Sequence, residues 1–379
     1  MTPVFSSLDH LHMAQALRLA ERGLYTTQPN PRVGCVIAQG DAVVGEGWHR
    51  RAGEPHAEVF ALREAGERAR GATAYVTLEP CAHHGRTPPC AGALIAAGVA
   101  RVAIAAEDPF PQVDGRGIGT LRAAGIAVET GLLREAAREL NIGFFSRIER
   151  GRPWVRVKLA MSLDGRTALA NGESKWITGE AARNDVQRWR ARSSAILTGS
   201  GTVLADDPRL TVRLDEARPV EARMTPLSAG EREQVPPLRV VLDRRLRTPA
   251  ASHVLDGEAP TLVLHAADAI PIDDRYARVE RVVVPGQGDA LDLHAVLALL
   301  AGRGCSEVHV EAGPTLCGAL FAAGLVDELL LYIAPLLLGD SARPLLHLPT
   351  LTDMAARWRL QAIEQRQLGS DWRLRLRPV

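Results

Sequence analysis

Hydrophobic and polar positions change period several times along this chain, and the changes predict its elements. Met13, Leu17, Ala20 and Leu24 recur at helical spacing after Asp9, so the pattern predicts an opening helix with Asp9 as N-cap, stopping near Gly23. The period then shortens. Residues 33–38 and 42–45 flank the turn Gln39-Gly40-Asp41 and predict a hairpin. A helix is predicted over about 57–69, a buried strand over 73–78, a helix after Pro89, a strand over 101–106, a helix and strand ending near Thr130, and a helix over about 132–140. Helices alternating with short apolar strands predict an α/β layered domain.

The polar stretch 146–153, Ser-Arg-Ile-Glu-Arg-Gly-Arg-Pro, reads as a linker, dividing the chain into 1–150 and 151–379. The second part repeats the α/β pattern, with strands expected near 154–160, 195–198, 239–242, 261–264, 281–284, 307–311 and 329–334. Residues 215–237, rich in Glu, Arg, Pro and Ala, predict a long surface excursion. The longest apolar run, 329–338, contains Pro335 and falls short of the ~20 residues that cross a bilayer. The first thirty residues lack the form of a secretory signal.

Composition narrows the function. At 379 residues the chain has room for two domains, or three small ones, each with its own core. Its net charge is +1, and residues 1–150 carry 16 Arg against 16 Asp and Glu, which gives no electrostatic footprint for a nucleic acid. Five cysteines, an odd number without dense pairing, predict a reducing compartment, the cytoplasm. Of 45 basic residues only Lys158 and Lys175 are lysines, which singles both out.

Candidate chemistry lies first in His56-Ala57-Glu58, Cys81 and Cys90. One imidazole and two thiolates suit Zn2+ and leave a fourth tetrahedral position for water, whose pKa the metal lowers towards 7. Glu58 stands two residues past the histidine, placed to carry a proton without binding the metal. Cys90 follows Pro88-Pro89 at a predicted helix start, where the helix dipole favours a thiolate. His-x-Glu with Pro-Cys-x-x-Cys is the pattern of zinc nucleobase deaminases, although eight residues separate the cysteines here where that pattern has two. A structural zinc knuckle, or core cysteines beside a surface histidine, would use the same residues. Cys35, Cys305 and Cys317 read as core thiols in apolar strands or helices. In the second half, Val310-Glu311-Ala312-Gly313-Pro314-Thr315-Leu316 predicts a strand, a turn and a helix start able to hold a phosphate, or a plain connection.

The segments Thr27-Gln28-Pro29-Asn30-Pro31-Arg32-Val33-Gly34, Gly45-Glu46-Gly47-Trp48-His49, His56-Ala57-Glu58 and Leu78-Glu79-Pro80-Cys81-Ala82-His83-His84-Gly85-Arg86-Thr87-Pro88-Pro89-Cys90 resemble the bifunctional riboflavin-biosynthesis deaminase/reductase family. The motifs at 158–166, 172–178, 201–208 and 310–320 resemble the reductase half of the same family. The resemblance implies a cytidine-deaminase-like α/β/α domain followed by a dihydrofolate-reductase-like α/β domain, with Zn2+ and NADPH as cofactors. It implies pyrimidine or ribose-phosphate contacts at Asn30, His49, His83 and Arg86, with Asp108 at the pocket edge. NADPH contacts are implied at Ala160, Trp176, Thr202, Asp206, Gly313, Pro314, Thr315, Leu316, Cys317, Gly318 and Ala319. Substrate contacts are implied at Ser174, Arg190, Leu210, Arg213 and Glu311, and Arg190 and Arg213 have guanidinium forks suited to phosphate. Where the family often has Ser after the 239–243 strand this chain has Arg244, a candidate cation for the 2′-phosphate.

Lys158, at the end of a predicted strand, is the cation expected beside the reacting sugar, unless it is a solvent-facing edge lysine. The implied reaction is deamination of a diaminopyrimidinone ribosylamino phosphate followed by reduction of the ribosyl chain. The expected partner is a small phosphorylated pyrimidine, with neither nucleic acid nor membrane; the sequence leaves a homo-oligomer open. A nucleic-acid deaminase and a non-catalytic zinc scaffold are the alternatives from other classes.

Overall fold

The computed structural model describes residues 5–82, 89–214 and 233–379. The chain divides into two compact units, residues 1–151 with 228–235, and residues 152–227 with 236–379. The predicted surface excursion lies mostly outside the described residues. Of its described part, 233–235 belongs to the first unit, where the Val235 N–H donates to the Tyr25 carbonyl at 2.9 Å, and 236–237 to the second.

The first unit is built on a five-stranded sheet of β1 (Gly34–Gln39), β2 (Ala42–Trp48), β3 (Thr73–Leu78), β4 (Arg101–Ala106) and β5 (Ala127–Thr130), in the order β2-β1-β3-β4-β5. The hairpin β1–β2 turns at Gly40, whose φ of 62° suits a residue without Cβ. Strands β3, β4 and β5 run parallel. One face carries α2 (Ala57–Ala65), α3 (Cys90–Ala96) and α4 (Arg116–Ala123), packed through Ala61, Leu94 and Leu121 on Ile37, Val76 and Ile104. The other face carries α1 (Ser7–Glu21), α5 (Arg134–Leu140) and α6 (Ile142–Arg150), packed through Met13, Ala137 and Phe145 on Val36, Tyr75 and Ala103. Alternate residues of each strand thus feed two cores, giving three layers.

Two boundaries differ from the sequence expectation. Ser6, not Asp9, is the N-cap of α1; Asp9 is at N3 and returns a hydrogen bond to the Ser6 N–H at 2.8 Å, completing a capping box. Asp9 also accepts from the Tyr75 hydroxyl and from Arg101, so the carboxylate is tied to the sheet as well as to the helix start. Most of the expected linker is helical, because α6 runs to Arg150 and buries Phe144, Phe145 and Ser146 while Arg147, Glu149 and Arg150 face outward.

The second unit has a nine-stranded sheet. Its strands are β6 (Trp154–Ser162), β8 (Ala195–Gly199), β9 (Leu238–Leu242), β10 (Thr261–His265), β11 (Glu280–Val283), β14 (Glu307–Val310), β15 (Glu328–Ala334), β17 (Leu360–Leu368) and β18 (Asp371–Pro378). The order is β11-β10-β9-β8-β14-β6-β15-β18-β17, paired in parallel except at β15–β18 and β18–β17, which are antiparallel. Two short ribbons accompany it, β7 (Arg166–Ala168) with β16 (Arg343–Pro344) and β12 (Gly286–Gln287) with β13 (Ala290–Leu291). The helices are α7 (Glu180–Arg192), α8 (Ser200–Asp206), α9 (Leu293–Gly302) and α10 (Pro314–Ala322). Val155, Val157 and Leu159 of β6 face α9 and α10, whereas Trp189 of α7 packs on Leu330 and Tyr332 from the other side. Arg156 is fully buried, bonded to Glu307 at 2.9 Å and Glu328 at 2.6 Å, with its guanidinium 4.5 Å from the Trp189 ring.

The β17–β18 hairpin has no counterpart in the sequence expectation. β17 is polar and mostly exposed, so it lacks the apolar alternation that marks a strand. Cys35 and Cys317 are buried in β1 and α10 as expected, while Cys305 is buried in the turn that leads to β14. Among the described residues no helix is long and apolar enough to cross a membrane.

Helix α2 rests directly on β2. A Cβ added at Gly47 would stand 2.1 Å from the Ala57 carbonyl oxygen. Gly47→Ala is therefore expected to destabilise the first unit by about 2 kcal/mol or more, as overpacking does, measured as an earlier urea transition; Gly71→Ala, where a Cβ meets nothing within 4 Å, should cost less despite its φ of 75°.

Candidate functional site

The first site forms where two helix starts meet the end of a strand. His56 is the N-cap of α2, Glu58 lies in its first turn, Cys90 opens α3, and Cys81 follows β3 after Glu79 and Pro80. His56 Nδ1 is 3.6 Å from Cys81 Sγ and 3.3 Å from Cys90 Sγ, and the three ligand atoms lie within 4.8 Å of one another. A zinc tetrahedron with Zn–S of about 2.3 Å and Zn–N of about 2.0–2.1 Å has edges of about 3.5–3.8 Å, so the donor set fits the metal in kind and in size.

Glu58 is buried at 3 % exposure, and its Oε2 has no hydrogen-bond partner among the described residues. Burial raises its pKa, with the negative Cys81 adding to the effect and His56 opposing it. A carboxyl so placed holds a proton readily, as a shuttle must. Cys81 is drawn down to about 4 by the hydrogen bond from the Cys90 thiol and, against burial, by His56, while Cys90 is pushed up. The first N–H of α3 points at Cys81 Sγ, 3.4 Å away, so the α3 start stabilises the neighbouring thiolate.

Asn30 and His49 join this cluster. Asn30 Nδ2 is 3.1 Å from His49 Nε2, His49 Nδ1 is 3.2 Å from the Pro55 carbonyl, and the His49 ring meets His56 edge-on at 5.3 Å. Burial pushes the pKa of His49 down to about 4, so the ring is neutral, donating from Nδ1 and accepting at Nε2. Asp108 is also buried, and its carboxyl is pushed up to about 6 by burial and by the nearby Glu79 and Cys81. His83, His84 and Arg86 lie outside the described residues. Sequence reasoning assigned no role to Glu79, a buried acid whose oxygens accept three backbone N–H groups from 108–118; its signal was its place in the Leu78-Glu79-Pro80-Cys81 motif, directly after an apolar strand.

In the second unit the structure gathers Lys158, Arg190 and Glu311. Lys158 is the middle residue of β6, between β14 and β15, so it is neither at a strand end nor on an edge. Burial pushes its ammonium pKa down, the Glu311 charge opposes this, and Arg190 adds to it. Arg190 does not offer a free fork for phosphate. Its Nε and Nη2 grip the two Glu311 oxygens at 2.5 and 2.7 Å, and Nη1 donates to the Thr211 carbonyl. His309, which sequence reasoning passed over, is fully buried with Nε2 at 3.2 Å from Glu311 Oε1.

At three expected contacts the side chain is turned to the protein itself. The Leu210 side chain is buried with Ile196, Val241 and Leu246, which leaves its backbone, at φ 51°, as the part able to meet a ligand. Cys317 points into the core and its thiol donates to the Ala312 carbonyl. Gly318 makes room for the protein itself, because a Cβ there would stand 2.0 Å from the His347 carbonyl oxygen. Gly313 caps α10, Pro314 and Leu316 are half-buried, and Thr315 and Ala319 are exposed, with Thr315 Oγ1 3.2 Å from His347 Nδ1. Leu316 approaches the end of β8 at Gly199. Thr202 and Asp206 lie on α8, Ala160 is half-buried on β6, Ser174 and the exposed Trp176 precede α7, and Arg183 stacks on Trp176 at 4.7 Å. Arg213 is exposed and its N–H donates to Gln187. Arg244 approaches Asp268 at 3.4 Å, so its charge is partly answered.

Ligand contacts at the carboxyl ends of parallel strands suit such a sheet, since crevices open there where strand order reverses. Here the chain passes from β6 to β8 and later inserts β14 between them, which puts the starts of α8 and α10 beside each other.

Residues 6–106 match the cytidine and deoxycytidylate deaminase zinc-binding region, and residues 153–374 match the RibD C-terminal domain. The riboflavin biosynthesis protein RibD of Escherichia coli (strain K12) is 50 % identical over 365 residues, which are 96 % of this chain and 97 % of that protein. The chain belongs to the RibD family. The solved structure of Acinetobacter baumannii RibD, form 1, aligns with a TM-score of 0.88 at 46 % identity, covering 98 % of this chain and 99 % of the other. A Thermotoga maritima structure, described as a diaminohydroxyphosphoribosylaminopyrimidine deaminase/5-amino-6-(5-phosphoribosylamino)uracil reductase, aligns with a TM-score of 0.84 at 31 % identity, with 98 % and 99 % covered. The fold is thus a cytidine-deaminase-like domain followed by a dihydrofolate-reductase-like domain. The family's zinc-binding deaminase and reductase parts imply Zn2+ and NADPH as cofactors.

Replacing Cys81 by Ser is expected to bring zinc from about one per chain to near zero, since three ligands hold an open site. Atomic emission on the purified protein measures the loss.

Proposed function

We propose that this chain catalyses two consecutive steps of riboflavin biosynthesis. The first is hydrolytic deamination of 2,5-diamino-6-ribosylamino-4(3H)-pyrimidinone 5′-phosphate. The second is NADPH-dependent reduction of the ribosyl chain, giving 5-amino-6-ribitylaminouracil 5′-phosphate. The observation that carries this reading is the convergence of His56 Nδ1, Cys81 and Cys90 on one point beside the buried, half-unpartnered Glu58 carboxyl. Family membership over nearly the whole chain supports the second step.

His56, Cys81 and Cys90 would hold the zinc, which when bound supplies a Lewis acid that makes water nucleophilic near neutral pH. Glu58 takes the proton from that water and delivers it to the leaving amine, a transfer that its burial favours. Asn30 and His49 orient the pyrimidine. Because His49 is neutral and donates to Pro55, its Nε2 stays an acceptor and Asn30 stays fixed. Asp108 lines the edge of the pocket, and His83 and Arg86 complete the expected contacts.

The reductase step needs alignment more than a nucleophile. NADPH supplies the hydride. Gly313, Pro314, Thr315, Leu316, Ala319, Ala160, Trp176, Thr202 and Asp206 would hold the cofactor, and Trp176 offers an exposed aromatic face, being 69 % exposed. Lys158 has a lowered pKa and lies within the field of Glu311 and Arg190, so it serves as the proton donor as the sugar ring opens. Glu311 is held ionised by Arg190 despite its burial and is the acceptor offered to the ribosyl hydroxyls. Ser174, Arg213 and the Leu210 backbone would complete the substrate site. Deamination belongs to the first unit, 1–151 with 228–235, and reduction to the second, 152–227 with 236–379; the enzyme works in the cytoplasm, where Cys81 and Cys90 stay reduced, and its ligand is a small phosphorylated pyrimidine.

Incubating the purified chain with the diaminopyrimidine substrate, with and without NADPH, tests both steps: ammonia should appear in either case, and NADPH should be consumed only afterwards. Glu58→Gln should keep the zinc but slow ammonia release by about 10³-fold, the scale of general acid–base catalysis. Near wild-type release from that variant would remove the shuttle role.

A further inference from the structure

Strand β3 ends at Leu78, two residues before the Pro80-Cys81 peptide, and what holds that peptide is not the sheet. The Glu79 N–H makes the last ladder bond, to the Ala106 carbonyl at 3.0 Å, and Pro80 has no N–H to give. The Glu79 side chain turns towards α4. Its Oε2 accepts from the N–H groups of Asp108 at 3.3 Å and Gly115 at 3.1 Å, and its Oε1 from that of Ile118 at 3.1 Å. Gly115 is the N-cap of α4 and makes no side-chain cap, so the donors left open at this helix start are met from another element. A carboxylate at a helix start, taking charge-assisted bonds from backbone N–H groups, is well placed and strongly held. Glu79 is only 4 % exposed and has this as its setting.

A second contact tightens the same joint. A Cβ at Gly117 would lie 1.9 Å from the Pro80 carbonyl oxygen and 3.2 Å from Glu79 Oε1, so α4 presses on the peptide that leads into Cys81. From there the path to the cluster is short, because the Cys81 carbonyl accepts the Ala91 N–H at 3.1 Å and its sulfur accepts the Cys90 N–H.

We propose that Glu79 is a positioning residue for the metal centre: by clamping the start of α4 and the Asp108 amide, it sets the Pro80-Cys81 peptide and hence the place of the Cys81 sulfur opposite His56 and Cys90. The proposal rests on reading Cys81 as a metal ligand. Loss of the clamp leaves all three ligands present but the thiolate displaced.

The test uses the full chain with Glu79→Ala, Glu79→Gln and Gly117→Ala, the last of which leaves Glu79 intact and disturbs the joint from the other side. Zinc affinity is measured by competition with a chromophoric chelator, and the thiolate-to-metal band and ligand-field bands are recorded after cobalt substitution. Glu79→Ala should weaken zinc binding by about 10- to 100-fold, the range for residues that orient metal ligands. Glu79→Gln, which keeps one acceptor oxygen, should fall between it and wild type. Gly117→Ala should weaken binding in the same direction, and the cobalt bands should shift in all three. NADPH oxidation on pre-deaminated substrate should stay near wild type. If Glu79→Ala does not fold, Glu79→Gln and Gly117→Ala decide. Wild-type affinity and cobalt spectra in the folded variants overturn the proposal while the zinc reading stands; a wild-type chain that takes up neither zinc nor cobalt overturns both.

Discussion

Close approach of backbone to backbone is the constraint on which the first unit depends. At Gly34, Gly45, Gly47 and Gly117 an added Cβ would stand 1.9, 2.2, 2.1 and 1.9 Å from the carbonyl oxygens of Ala16, Ala61, Ala57 and Pro80. Each is a place where a helix lies on a strand or a strand end with no side chain between them. The Gly47 contact falls on Ala57, between His56 and Glu58 in sequence, so the spacing of β2 from α2 also sets where the histidine and the proton carrier stand. The Gly117 contact at Pro80 does the same for the peptide that leads into Cys81. An interior packed this tightly transmits a displacement of one methyl group directly to the site.

The second unit depends on a different device. Arg156, fully buried in the centre of the sheet, joins Glu307 of β14 to Glu328 of β15, and Arg375 and Arg377 of β18 reach the same Glu328. Against burial, Arg156 and Arg375 hold the Glu328 carboxyl down at about 2. Such a network adds little net stability over an apolar core but penalises mispairing heavily, since any slip strands a charge. It therefore acts mainly on register, and it ties the polar C-terminal hairpin to the parallel sheet. The same face of β6, two residues on, presents Lys158, so the register held by Arg156 also places the lysine near Glu311 and Arg190.

Strands 73–78 and 101–106 were legible residue for residue, because each is an apolar run too short for a helix and is set off by flanking Gly and Pro residues. The stretch 146–150 was not, since its charges look like a linker until Phe144 and Phe145 are seen to anchor one face of a helix. The polar strand β17 was invisible for the same reason in reverse. Its pairing with β18, and the reach of Arg373 to Asp185 and Glu364, give it a place that its own residues do not announce.

Sequence alone determined the chemistry: one imidazole, two thiolates and a carboxyl at fixed spacings, and a cation singled out by the near absence of lysine. Those are properties of residue type and order, which composition and motif carry directly. What tertiary structure decided is which groups remain available. It paired Arg190 with Glu311, turned Leu210 and Cys317 into the core, and brought Glu79 to the start of α4. Each of those outcomes depends on a partner 29 or more residues away, or on burial by another element. No local pattern can encode a hydrogen bond whose second half is supplied by a distant turn of the chain.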